Sequence, residues 1–255
     1  MKRQIKKEYK TALSNLRQEY LTQKNTIKRE YDNRLNDYYN AQQKPTIINP
    51  PKRSVLEEIG NAVTHGLGAI FAIVAFILTY TAAKTPAQTL SSIVYSVGMF
   101  LTFIMSSLYH SFAYGTTVKR LFRRFDYSSI YLLIGATFVP ILLIFVGGTF
   151  GTAFFIIQWV IITVGITFVS IFGVNKLKGL HFTLYLLLGW SGLMFLPQMA
   201  IENLPLLFYI LGGGIIYTLG IIPFALKKGV AHFIWHFFVL LGAIIQWIGI
   251  YTCLY

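Results

Sequence analysis

Two histidines four residues apart, His232 and His236, open the last apolar run of the chain, and Ser106 and His110 close the second in a Ser-x-x-x-His pattern. Positions i and i+4 of an α-helix lie on one face, so the two imidazoles of the pair converge on a single ion. Zinc sites that perform chemistry take three protein ligands and leave the fourth position to water. His110 supplies the third imidazole. Polar side chains are costly within lipid, so histidines gathered in membrane-spanning segments carry a functional expectation. The lone cysteine, Cys253, excludes an intramolecular disulfide and a cysteine-based cluster, and imidazole and carboxylate are left to coordinate.

The elements that must position these residues follow from composition. The chain has 255 residues, 55% hydrophobic and 12% charged, against about 25% charged in ordinary soluble domains. Stretches near the ~20 apolar residues needed to cross a bilayer occur seven times: 60–83, 88–112, 127–147, 152–174, 180–197, 204–226 and 230–254. The fifth is short and is expected to end at Pro197. The first begins too far into the chain to be a cleaved leader, so insertion without processing is expected. The expected fold is all-α, a seven-transmembrane helix bundle over residues 54–255, in the bacterial plasma membrane.

Lys and Arg fall before the first span, in loop 113–125 (Lys119, Arg120, Arg123, Arg124), in loop 175–179 (Lys176, Lys178) and at Lys227 and Lys228. The alternate loops carry only Lys84 and Glu202. The positive-inside rule then predicts a cytoplasmic N-terminus and an external C-terminus. This topology brings Ser106 and His110, Asp126 at the start of span three, and His232 with His236 to one depth at the cytoplasmic end. Glu57, Glu58, Asn61 and His65 open span one on the same side.

Each residue also has a plainer explanation. His65 and His181 are explained equally well as headgroup-level residues, His181 more so because it lacks a partner at fixed spacing. Asp126 would balance Arg123 and Arg124, Ser106 would bond its own helix carbonyl, and Glu57 and Glu58 are acids favoured at a helix N-terminus.

Residues 1–44 contain no apolar run but repeat every 11 positions: Glu8-Tyr9, Glu19-Tyr20, Glu30-Tyr31, with Ile5, Leu16, Ile27 and Tyr38 in step. An 11-residue period is close to three helical turns, which predicts a long, straight amphipathic cytoplasmic helix with a basic opposite face. Two partners suit it equally, the anionic inner leaflet and a second helix in a coiled coil; nucleic acid is not expected. Residues 45–53, with Pro45, Pro50 and Pro51, form a linker that stops the helix.

The motifs Glu57-Glu58-x-x-Asn61-x-x-x-His65-Gly66, Ser106-Ser107-Leu108-Tyr109-His110, Phe125-Asp126-Tyr127 and His232-Phe233-Ile234-Trp235-His236 resemble those of the hemolysin III proteins. These are bacterial relatives of the progestin and adiponectin receptors and, more distantly, of the alkaline ceramidases. The resemblance covers about residues 54–255. It implies a zinc ion (Zn2+) held by His110, His232 and His236, with Ser106 and Asp126 beside the zinc-bound water. The sequence departs from the common bacterial pattern at Phe125-Asp126-Tyr127, where Leu-Asp-His is usual, and at Gly135 to Pro140; no implied ligand is touched.

Zinc brings the pKa of bound water to about 7, and Asp126 is placed to accept its proton. A site under the inner leaflet meets membrane lipid, so the leading expectation is a zinc-dependent hydrolase of a lipid amide or ester. Two competing expectations are a membrane-permeabilising hemolysin (cytolysis) and a non-enzymatic, receptor-like protein with structural zinc.

Overall fold

Ser54 and Thr85 start the first two membrane helices in the same way. The Ser54 hydroxyl accepts from the Glu57 N–H and the Glu57 carboxylate accepts from the Ser54 N–H at 2.8 Å, so two of the unpaired donors of helix α2 (Val55–Ala82) are satisfied reciprocally. Thr85 and Gln88 repeat the device at α3 (Pro86–Ser111), with Pro86 in the first turn, where no N–H is needed. Thr116 caps α4 (Thr117–Pro140). Pro140 is followed by a wide π-helical turn, Ile141–Val146, closed by the Gly147 N–H on the Leu142 carbonyl.

The computed structural model describes residues 1–42, 50–226 and 229–255, so Pro45, Lys227 and Lys228 lie outside the described residues. The remaining helices are α1 (Lys2–Gln42), α5 (Gly148–Lys176), α6 (Lys178–Trp190), α7 (Leu196–Glu202), α8 (Leu204–Ala225) and α9 (Gly229–Leu254). Gly173, at φ +72°, breaks α5 near its end, in a backbone region that L side chains rarely adopt. The chain divides into two compact units, Met1–Ile48 and Asn49–Tyr255. Among the described residues there is no strand, and seven helical segments are long and apolar enough to cross a membrane.

Two expected boundaries change. Span three begins at Thr117, ten residues before its apolar run, so Lys119, Arg120, Arg123 and Arg124 are helical rather than in a loop. Span five does not stop at Pro197. A 3₁₀ turn, Ser191–Phe195, joins α6 to α7, and Pro197 sits in the first turn of α7, where its missing N–H costs nothing.

In the membrane unit α2 packs on α3, α3 on α4 and α8 on α9, while α2 also reaches α9. The span built on α4 is the most buried, 61% of its apolar window against 22% for the fourth, fifth and sixth spans, so α4 is the central element. Outward positions remain apolar, among them Ile70, Ile157, Leu187 and Leu241, as lipid contact requires. Lipid tails are as apolar as leucine, so close van der Waals packing holds such helices together. Small residues permit it. A Cβ on Gly98 would overlap that of Ala136 across the α3–α4 contact, and one on Gly68 would lie 2.6 Å from the buried Phe103 ring. Thr102 adds an interhelical bond, donating to the Ser129 carbonyl at 2.8 Å. The far end of α3 is tied to the end of α9: Gln88 donates to the Leu254 carbonyl at 2.7 Å and the Tyr255 hydroxyl donates to the Gln88 carbonyl at 3.0 Å.

Candidate metal centre

His110 lies in the last turn of α3, and His232 and His236 occupy the first two turns of α9. One ring nitrogen from each lies within 4.8 Å of the others, with His110 and His236 buried and His232 half-buried. The two Nε2 atoms of the α9 pair are 3.3 Å apart. Two nitrogen ligands at about 2.0–2.1 Å from a tetrahedral ion stand about 3.3 Å from each other. The α9 pair therefore stands at ligand spacing, and His110 completes the sequence-predicted triad within 4.8 Å of both.

The tautomers follow from the opposite ring edges. His110 Nδ1 is 2.6 Å from Glu58 Oε2, a contact short enough to take the Nδ1 proton. Asn61 Nδ2, at 3.4 Å from the same nitrogen, is then a packing neighbour, because one ring nitrogen serves one proton. His110 Nε2 is left as a lone pair, buried and without a hydrogen-bond partner. His236 Nδ1 donates to the Asn61 main-chain carbonyl at 3.3 Å, so its Nε2 lone pair also faces the cluster. A buried acceptor without a donor costs about 1–3 kcal/mol. Three convergent imidazoles with an orphaned lone pair fit a divalent cation that prefers nitrogen.

His65 stacks on His236 with ring centroids 3.7 Å apart, and Phe103 meets His65 edge-on at 5.2 Å. His65 is buried rather than solvated. A cavity of about 190 Å³ adjoins the centre and is lined by His232, His236, Ser106 and Asp126. The rest of its wall is largely apolar, with Leu133, Phe138, Leu193 and Ile210 among the contributors. Ser106 is buried beside Asp126 on the cavity wall, and its hydroxyl does not bond its own helix carbonyl. Arg123 donates to Asn175 and Arg124 to the Ser170 carbonyl, which gives both arginines partners other than Asp126.

His181 departs from the expectation of a solvated side chain. It is buried beside the same cavity, with its Nδ1 2.9 Å from the Tyr131 hydroxyl. Glu58 also exceeds its expected role as a helix-terminus acid. Its Oε1 is 2.9 Å from the Lys119 ammonium, which also donates to the Phe112 carbonyl at 2.9 Å. Lys119 is only 1% exposed. Sequence reasoning counted it as a loop charge, and it missed the Asn61 carbonyl altogether. The one available signal for Glu58 was its spacing: seven residues before His65 and three before Asn61, it shares their helix face.

The sequence profile described as Haemolysin-III related matches residues 53–247. The chain belongs to the haemolysin III family. Among haemolysin III relatives, Hemolysin-3 of Bacillus cereus is 38% identical over 195 residues, covering 74% of this chain and 88% of its own length. The Hemolysin-3 homolog of Bacillus subtilis is 35% identical over 198 residues, 74% of this chain and 91% of its own. The human Monocyte to macrophage differentiation factor is 27% identical over 211 residues, covering 80% and 87%. Seven apolar helices together with these bacterial haemolysin III relatives identify an integral membrane protein of the plasma membrane. The family match contains all three histidines of the cluster together with Ser106 and Asp126, while α1 lies outside it.

Proposed function

We propose that this protein is a zinc-dependent hydrolase of a lipid amide or ester, acting at the cytoplasmic leaflet. The observation that carries this reading is a three-histidine cluster beside a largely apolar cavity, about 190 Å³, whose lining also includes Asp126 and Ser106. His110, His232 and His236 would hold the ion. Zinc bound there supplies Lewis-acid polarisation and a hydroxide-strength nucleophile near neutral pH.

The residues of the chain do the rest. The apolar wall takes the acyl chain and excludes bulk water, which strengthens every charge interaction inside. Asp126 accepts the proton of the attacking water. As the acyl carbon gains the water oxygen, its bond to the leaving nitrogen or oxygen breaks, and Asp126 returns the proton to that leaving atom. The products are a fatty acid and an amine or alcohol. The Ser106 hydroxyl, free of helix carbonyls, orients the Asp126 carboxylate or the substrate oxygen.

The test is turnover by purified protein in detergent or liposomes against a panel of ceramides, acylated amines and glycerolipids. Fatty acid release that disappears in His232→Ala and in Asp126→Asn is the expected result. A second reading, permeabilisation of membranes, draws on the name Hemolysin-3 carried by the Bacillus relatives. It replaces the first if zinc-loaded protein leaves the whole panel intact while the same preparation releases dye from liposomes.

A further inference from the structure

Helix α2 contributes no ligand to the histidine cluster, yet it makes two of the contacts that decide how the ligands are presented. Glu58, in its first turns, accepts the His110 Nδ1 proton at 2.6 Å, and Asn61, three residues on, accepts the His236 Nδ1 proton through its main-chain carbonyl at 3.3 Å. The two acceptors reach ligands on different helices, one on α3 and one on α9. Glu58 is itself held by a cation: its second oxygen is 2.9 Å from the ammonium of Lys119 on α4, and that lysine is only 1% exposed.

We propose that Glu58, locked by Lys119, is a positioning residue of the metal centre, which fixes His110 with its proton on Nδ1 and its Nε2 lone pair toward the ion. The proposal rests on the metal reading of the three histidines. The chemical argument is general. A neutral imidazole has two tautomers, and a carboxylate on one nitrogen selects the tautomer that leaves the other free to ligate, orients the ring and raises its basicity. A half-buried carboxylate without a counter-charge would be disfavoured, whereas one paired with an ammonium is tolerated. Lys119 thus keeps a charged acceptor where His110 needs it. Four helices meet in this arrangement, because the chain Lys119–Glu58–His110 links α4, α2 and α3, and Asn61 links α2 to α9.

The experiment measures zinc affinity by chelator competition, and the protonation pattern of the metal-free protein by NMR of 15N-labelled histidine. Full-length wild type is compared with Glu58→Gln, Glu58→Leu and the charge-balanced double variant Glu58→Gln/Lys119→Met. Outer partners of this kind are worth about 10–100-fold in metal affinity. The expected order of affinity is wild type, then Glu58→Gln, then Glu58→Leu, with the last also losing the Nδ1–H form of His110. The double variant guards against misfolding around an unpaired Lys119. It should remain monodisperse and still bind at least about tenfold more weakly than wild type. If all variants bind zinc as tightly as wild type, Glu58 has no positioning role. If wild type itself holds no zinc, the underlying metal reading fails instead.

Discussion

The substitution Gly68→Ala tests how tightly the histidine cluster depends on helix packing. A Cβ at position 68 would lie 2.6–2.7 Å from Cδ1 and Cγ of Phe103, whereas carbon atoms rest at about 3.5–4.0 Å. The root of the Phe103 ring must therefore retreat by roughly 1 Å. It has nowhere free to go: Phe103 is fully buried, its ring edge lies against His65, and His65 stacks on His236. Overpacking of this kind costs about 1–3 kcal/mol. For a domain of this size each kcal/mol lowers the melting temperature by about 2–4 °C. Thermal unfolding in detergent should thus show a fall of several degrees, and zinc affinity should fall with it, because the displacement is passed along the ring stack. Phe103→Leu in the same chain should recover part of the loss, with a coupling of about 0.5–3 kcal/mol. The reasoning is refuted if Gly68→Ala melts with wild type, or if the two substitutions simply add.

Purified protein should hold about one zinc per chain; elemental analysis should find most of it gone in His236→Ala and retained in Asp126→Asn, and equal loss in both would make Asp126 a direct ligand. The charge skew of the loops predicts that a cysteine introduced near residue 25 is protected from an impermeant thiol reagent in intact cells while Cys253 is labelled, and the reverse pattern would overturn the assigned orientation. Residues 1–44 carry eleven Lys and Arg against five Asp and Glu. If α1 lies on an anionic leaflet, protection of that segment from protease in anionic liposomes should decline as salt shortens the Debye length from about 10 Å at 0.1 M to about 3 Å at 1 M. Salt-insensitive, concentration-dependent crosslinking at residue 25 would favour the coiled coil.

The three histidines were legible because their types and spacing are themselves the chemistry: an i, i+4 pair and a Ser-x-x-x-His ending each mark a helix face. Seven apolar runs gave the spans for the same reason, since length and composition set whether a segment crosses lipid. What escaped was carried by groups without a residue-type signature. The acceptor for His236 is the main-chain carbonyl of Asn61, which any residue could provide. Lys119 looked like one more positive-inside charge, and only the early start of α4 at Thr117 turns it inward onto Glu58. His181, with no partner at fixed spacing, found one 50 positions away in Tyr131. Pro197 read as a stop because a sequence does not announce that a 3₁₀ turn will put the proline where its missing donor is harmless.

The tie of Gln88 to Leu254 and Tyr255 makes α3 and α9 a strut. At one end the two helices are hydrogen-bonded to each other, and at the other His110 and His232 face across 5.3 Å between ring centroids. Pinned at the Gln88 end, the two helices carry their register toward the Ser-x-x-x-His and His-x-x-x-His turns, and an ion held by the three histidines would pin the other end as well. The cavity's other wall is drawn from α6 and α8, through residues such as Tyr185 and Tyr217, which lie outside the Gln88 tie. Anything fused directly after Tyr255 presses on the strut, and a probe of the cavity's opening is better placed on α6 or α8.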